Sequence, residues 1–388
     1  MVDRSVQEYS GTIRCCGCGN CSLICKFNAI EMKKDKEGFY QPVVDIKKCI
    51  NCGVCKKECP FNNHERNFKE EINRILIAYH KIEDNLKFST SGGVAQAFYQ
   101  SIIAIGGVCY GAKYEDDFNV IIDSFDTEKE MLPFLGTKYG QAYKGEIFRD
   151  VKRNLERGKI VLYIGTPCEI GALKAFLKMD YEYLYTVQII CMGVTSSSIL
   201  KGYISSLKIK PVQKIQERYT FKNWSVPYIK LNTIDGKTYL KKYDSSKYAF
   251  GFGKFGRLSC YDCTYKGNNR VADITIGDYW GANLEDPLYQ KYGMSIVNIH
   301  TKKGAKLLGI SRELLNIHEI EKYDFSKNNP YTSISRNNLA VRELFKYNME
   351  HYGFEKAAIK TMKMLDRIKH VVIDIIPYSI WEKLSLKK

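Results

Sequence analysis

Between residues 75 and 300 short apolar runs alternate with longer amphipathic ones, and the alternation predicts strands and helices in turn. Ile75-Leu76-Ile77-Ala78-Tyr79 has the length and composition of a strand. A helical stretch runs to Ile105 after Ser89-Thr90-Ser91-Gly92-Gly93. Strands follow at Gly107-Val108-Cys109-Tyr110-Gly111 and from Asn119 to Phe125, then an amphipathic helix over 146–157 stopped by Gly158. Lys159 to Ile164 reads as a strand, Glu169 to Lys178 as a helix and Leu184 to Ile190 as a strand. Asp273 to Ile276 and Ser295 to His300 add two more strands. Such alternation predicts an α/β domain over 75–300. Residues 215–245 read instead as antiparallel, with Asp235-Gly236 at the turn.

The flanks differ. Residues 1–65 are dense in cysteine with short connections, and 66–74 form a charged linker or surface helix. Residues 301–388 are expected to be a helical C-terminal extension, basic from 340 onward, with Pro377 interrupting the mixed apolar and lysine stretch 368–384. That stretch packs on the domain, or it touches a membrane surface or partner. The expected class is α+β: a small cysteine-rich module, a larger α/β domain and a helical tail. A length of 388 residues fits two or three domains. The start lacks the apolar segment of a secretory signal, and no run of 18 apolar residues appears.

Cysteine changes the picture most. Of 14 cysteines, nine fall within residues 15–59. Cys15, Cys18, Cys21 and Cys25 are spaced C-x2-C-x2-C-x3-C, and Cys49, Cys52, Cys55 and Cys59 repeat the run, followed by Pro60. Doubled, this is the signature of a two-cluster 4Fe-4S ferredoxin, in which the fourth cysteine of each run ligates the other cluster. One cluster is therefore expected on Cys15, Cys18, Cys21 and Cys59, the other on Cys49, Cys52, Cys55 and Cys25. Gly17, Gly19 and Gly53 leave room for amides to approach sulfur. Zinc is the rival reading, and eight cysteines at doubled spacing disfavour it. Cys16 reads as a bystander, and Lys26 stands where the second run has proline. Cysteines used for metal in a large chain imply a reducing, cytoplasmic setting.

The formal net charge is +16. Each oxidised cluster contributes about two negative charges, so three would leave about +10. A basic surface suits an acidic redox partner; a nucleic-acid role lacks the aromatic–basic interleaving and recognition motifs it needs.

Cys109 reads as core. Cys168, after Gly165-Thr166-Pro167, and Cys191, in Ile190-Cys191-Met192-Gly193, end two neighbouring strands on the edge where α/β sheets bind ligands. At its helix start Cys168 is expected to favour the thiolate. Cys260 and Cys263 form a C-x2-C loop. Spacing alone leaves several readings level for these four: a third 4Fe-4S cluster, zinc, a Cys168 nucleophile, or unrelated core residues. The amides of Ser91, Gly92 and Gly93 at a helix start can cradle a pyrophosphate, and Lys138 in the Gly136-Thr137-Lys138-Tyr139 turn can add a cation. On these residues alone, an ordinary capped helix and an ordinary turn are the preferred reading.

Blocks at Ser91-Gly92-Gly93, Gly107 to Ala112, Gly136 to Tyr139, Gly165 to Cys168, Ile190 to Gly193, Ser259 to Cys263 and Asp273 to Gly281 occur in an order that resembles the coenzyme F-420 hydrogenase/dehydrogenase beta-subunit family. The resemblance runs from about residue 10 to 300 and is nearest the bacterial subgroup with an N-terminal two-cluster ferredoxin. It implies an FAD- and iron–sulfur-dependent oxidoreductase, with a third 4Fe-4S cluster on Cys168, Cys191, Cys260 and Cys263. FAD would lie near Thr166 and Pro167, its pyrophosphate on Ser91 to Gly93 and Lys138 at a phosphate or the ring. The implied partners are a ferredoxin-like protein or reduced coenzyme as donor and a small-molecule or glycan-type substrate. A non-catalytic electron-transfer subunit is the alternative. Lys138 and Tyr279 are candidate proton donors.

Overall fold

The computed structural model describes residues 3–63, 72–220, 223–267, 270–280, 288–332 and 338–364. Residues 66–71 of the linker expected over 66–74, Gly281 and the stretch 368–384 lie outside them.

The fold centres on a nine-stranded sheet, in the order β14-β3-β13-β12-β8-β7-β4-β5-β6. Its central strands are β4 (Val108–Tyr114), β7 (Val161–Gly165), β8 (Leu184–Ile189) and β12 (Ile274–Asp278). These four run parallel. On one side stand β13 (Ser295–Ile299), β3 (Arg74–His80) and β14 (Leu315–Glu319), all antiparallel to their neighbours. On the other, β5 (Val120–Phe125) is antiparallel to β4, and β6 (Ala142–Tyr143) closes the edge.

The central strands are apolar on both faces because helices cover both. In β7, Leu162 and Ile164 join a core with the helices Val94–Ala104 and Lys302–Ile310. Val161 and Tyr163 point the other way, onto the helices Ile147–Glu156 and Pro167–Leu177. This two-residue alternation serves both faces, and the parallel direction of the central strands brings their carboxyl ends to one edge.

The hairpin expected over 215–245 is present as β10 (Tyr228–Thr233) and β11 (Thr238–Lys242), extended by β9 (Val212–Tyr219) to three strands. It packs with the helices Ser197–Ser206, Lys247–Lys254 and Leu339–Thr361 in a separate core. The boundary expected at 300 falls inside the main sheet, since Lys302–Ile310 and β14 complete it.

The cysteine-rich module holds a hairpin of β1 (Ile30–Lys34) and β2 (Tyr40–Val44) and two short helices, Asn20–Ile24 and Val54–Lys57. Each helix starts after a left-handed glycine, Gly19 at φ 81° and Gly53 at φ 76°, so the two cysteine runs share one local conformation.

Tyr265 joins module to body. Its hydroxyl donates to the Pro60 carbonyl at 3.0 Å, and its ring lies over Gly171 in the helix Pro167–Leu177. A β-carbon at Gly171 would sit 2.4 Å from the Tyr265 hydroxyl oxygen and 2.7 Å from a ring carbon. Gly→Ala in a helix normally stabilises. Gly171→Ala is expected instead to destabilise by about 1–3 kcal/mol, the cost of overpacking, read as a lowered apparent Tm of the full chain.

Candidate iron–sulfur and cofactor sites

The two runs interlock. Cys59 is half-buried; desolvation pushes its pKa up, and the neighbouring Cys15 and Cys55 thiols add to it. Burial raises Cys55 too, with Cys52 of its own run and Cys25 of the first run adding to it. Cys59 thus comes near a thiol of the first run, and Cys25 near one of the second. Backbone N–H groups of Gly17 and Ala29 donate to the sulfurs of Cys15 and Cys25, each at 3.4 Å. Gly17 has a further role: a β-carbon there would lie 2.2 Å from Gln141, 2.6 Å from the Tyr40 carbonyl and 2.9 Å from Arg257. Its missing side chain admits residues of the main domain.

Cys168, Cys191, Cys260 and Cys263 line one cleft at the carboxyl edge of the parallel strands, with an empty space of about 650 Å³ including its mouth. Cys263 lies within electrostatic reach of the other three. Cys191 accepts from the Gly193 amide at 3.3 Å, and burial raises its thiol to about 12. The helix start expected to favour a Cys168 thiolate does not do so. A hydrogen bond with the Cys16 thiol, burial and the adjacent Glu169 hold its pKa well above the ordinary value. An unassisted Cys168 nucleophile is disfavoured accordingly. Cys16, read from sequence as a bystander, lines the same cleft and touches Cys168.

None of the fourteen cysteines is joined in a disulfide. Among the described residues no group of three His, Cys, Asp or Glu side chains closes tightly enough around a single metal ion. A tetrahedral ion with sulfur bonds of about 2.3 Å draws its thiolates to within about 4 Å of each other, whereas a cubane holds them farther apart. The donor set of either group, thiols alone with amide and cationic neighbours, suits iron–sulfur chemistry.

A third locus forms where the Ser91–Gly93 loop meets the Gly136–Tyr139 turn, tied by Thr90 and Thr137 hydroxyls at 2.7 Å. Parts of that loop are committed to the fold. The Ser91 hydroxyl donates to the Met294 carbonyl at 2.7 Å, and the Gly92 amide donates to the Ser295 hydroxyl at 3.0 Å. Gly93, at φ 71°, starts the helix Val94–Ala104 without a side-chain cap. Lys138 is half-buried. Its ammonium donates to the carbonyls of Leu135 at 2.8 Å and Gly136 at 3.3 Å, and among the described residues no carboxylate pairs with it. Desolvation lowers its pKa to about 7. Tyr139 stacks on Phe252 at 4.2 Å. Thr166 and Pro167 belong to the thiol cleft instead: Thr166 caps the helix, its hydroxyl 3.3 Å from the Cys168 sulfur, and Pro167 lines the cleft. Asp278 is held by Arg218 at 2.7 Å, Tyr279 packs 5.5 Å from Tyr323, and Trp280 packs 4.9 Å from Trp224.

Arg257, Gln141, Lys144 and Glu217 escaped the sequence reading. Each is one polar residue in an unremarkable segment, and its partners lie far along the chain. Lys144 pairs with Glu169 at 3.0 Å beside the thiol cleft. Glu217 is 1% exposed and accepts from the Tyr139 amide and the Tyr248 hydroxyl. Burial raises it from 4.5 to about 8.

A raised folded pKa on an acid fixes the sign of its pH dependence. Below pH 4.5 Glu217 is protonated in both states; from there to about 8 only the unfolded chain ionises it, so stability falls through that window and then levels. Glu217→Gln keeps both hydrogen bonds. It is expected to match the parent near pH 4.5 and to exceed its apparent Tm above pH 8.

Residues 158–328 match the family of the C-terminal part of the coenzyme F420 hydrogenase/dehydrogenase beta subunit, and residues 14–63 match a 4Fe-4S dicluster domain. No curated protein matches significantly. Among solved structures, the chain is similar to one in "Xenon derivatization of the F420-reducing [NiFe] hydrogenase complex from Methanosarcina barkeri". The TM-score is 0.50 at 18% identity, over 73% of this chain and 96% of that one. At that identity the likeness is one of fold. Among the described residues no helix is long and apolar enough to cross a membrane. A 4Fe-4S dicluster domain over residues 14–63 thus precedes a region, residues 158–328, that matches the C-terminal part of the coenzyme F420 hydrogenase/dehydrogenase beta subunit.

Proposed function

We propose that this chain is a cytoplasmic oxidoreductase with three 4Fe-4S clusters and FAD. The ladder holds two clusters crosswise, one on Cys15, Cys18, Cys21 and Cys59, the other on Cys49, Cys52, Cys55 and Cys25. Cys168, Cys191, Cys260 and Cys263 hold the third. The observation that carries this reading is the thiol cleft at the sheet's carboxyl edge, which meets the ladder through Cys16. Clusters exchange single electrons, and a flavin joins that traffic to two-electron reduction of an organic substrate. The chain's residues supply amide donors to sulfur. The locus at Thr90, Thr137 and Lys138 is assigned to FAD, because a lysine with no carboxylate partner among the described residues suits a phosphate. The commitment of Gly92 to Ser295 leaves that pyrophosphate to Lys138 and the loop's other donors.

A glycan-type substrate in surface-polysaccharide metabolism and a ferredoxin-like donor remain part of the proposal. Exposed Ile46, Ile50 and Val54 flank the exposed Cys52 along the chain, among Lys47, Lys48 and Lys57. That face suits docking of an acidic redox protein. It equally favours a second reading, an electron-transfer subunit whose catalytic partner is another chain, since the related fold occurs within a hydrogenase complex.

Anaerobically purified full-length protein is expected to carry about twelve irons, four per cluster, and flavin near one per chain. Cys168→Ala should lower iron toward eight while the ladder's signals persist. Lys138→Ala should lose flavin with its iron intact. Replete ladder iron with no flavin bound or bindable contradicts the reductase and leaves the subunit reading.

A further inference from the structure

Among the described residues, three cations drawn into the interior carry carboxylate partners. Lys144 pairs with Glu169 at 3.0 Å, Arg218 with Asp278 at 2.7 Å, and Arg342 with Glu37. Arg257 does not. It is 2% exposed, and among the described residues its hydrogen-bond partners are neutral groups and one sulfur. Its Nε donates to the Cys15 carbonyl at 2.8 Å, Nη2 to Gln41 Oε1 at 2.9 Å and Nη1 to Gln141 Oε1 at 3.1 Å. Nη2 also reaches the Cys15 sulfur at 3.5 Å. The guanidinium lies 5.7 Å from the Phe39 ring centre and forms part of the thiol cleft wall. A buried guanidinium is always charged and needs a negative group close by.

We propose that Arg257 is the resident counter-cation of the 4Fe-4S cluster held by Cys15 and that it raises that cluster's reduction potential. The inference rests on the assignment of Cys15 as a ligand; it does not require the third cluster. Reduction adds one electron, hence one negative charge, to a cluster that already carries net negative charge. A fixed cation donating to a ligand sulfur stabilises the reduced form more than the oxidised one. The other ladder cluster, on Cys49, Cys52, Cys55 and Cys25, has no such contact with Arg257. The charge therefore separates the potentials of two otherwise similar sites and favours the reduced state on the side facing the main domain.

The test is an EPR-monitored redox titration of the full-length, anaerobically purified protein, with iron and sulfide measured on each sample. Arg257→Gln keeps hydrogen-bonding capacity and removes the charge. One ladder cluster should then change its reduced-to-oxidised ratio at least tenfold toward the oxidised form, about 59 mV for a one-electron couple. The other should keep its midpoint, and Arg257→Lys should recover most of the shift. Gln141→Glu, which places a carboxylate on Nη1 while the arginine stays, should move the same cluster in the same direction. Cys15→Ala and Cys49→Ala identify which signal belongs to which site. Unchanged midpoints in an iron-replete Arg257→Gln protein overturn the proposal, as does a shift confined to the signal that Cys49→Ala removes. Should Arg257→Gln fail to assemble its clusters, an unchanged midpoint in Gln141→Glu overturns it. Eight irons in the parent protein would remove the third cluster and leave this test intact.

Discussion

A guanidinium sealed between the cysteine ladder and the main domain constrains much of the junction. Arg257 enters from the main domain and hydrogen-bonds with the first cysteine run and the β1–β2 hairpin. Gly17 has no side chain because Arg257 and Gln141 occupy the space one would take. Gln141, in turn, accepts from the Tyr40 amide at 2.9 Å. Around this centre lie further ties. Tyr265 donates to Pro60, Arg149 to the Leu23 carbonyl, and Arg342 pairs with Glu37. The ladder is thereby fixed against the sheet edge by polar contacts that work only in one register.

Geometry at that edge derives from the sheet. Parallel β7 and β8 end side by side, so the segments leaving them land on one rim. Cys168 begins a helix there and Cys191 leaves a strand, while the Cys260–Cys263 loop closes the cleft. Cys16 brings the first ladder run to the same cleft. Thiol groups that are far apart in sequence thus become one continuous region, in which burial and mutual repulsion keep metal-free thiols protonated. Any metal bound there would have to displace those protons, which would couple its uptake to pH.

The parts legible in the sequence are those with local causes. Cysteine spacing predicts the ladder because a cubane's ligands sit on tight loops, and the matching left-handed glycines, Gly19 and Gly53, are local too. Strands β4, β7, β8 and β12 are visible as apolar runs because both faces are covered. By contrast, β14 and the helices Ser197–Ser206 and Lys247–Lys254 carry weaker patterns, since one side of each faces solvent or the small third core. The roles of Gly17, Gly92 and Arg257 depend on contacts across 100 residues or more, and no window along the chain contains them. Cys16 illustrates the same limit: adjacent to a ladder ligand in sequence, it faces the other thiol group in space.

The central claim is that negative clusters on the ladder complete a junction built around Arg257. Hydrogen exchange compares the cluster-loaded and metal-stripped full chain directly. Loading is expected to protect residues 14–19 and 255–260 strongly while leaving β4 and β7 in the sheet interior little changed. Equal exchange at 14–19 and 255–260 in the two forms would contradict the account, because the junction would then close without the charge it is held to require.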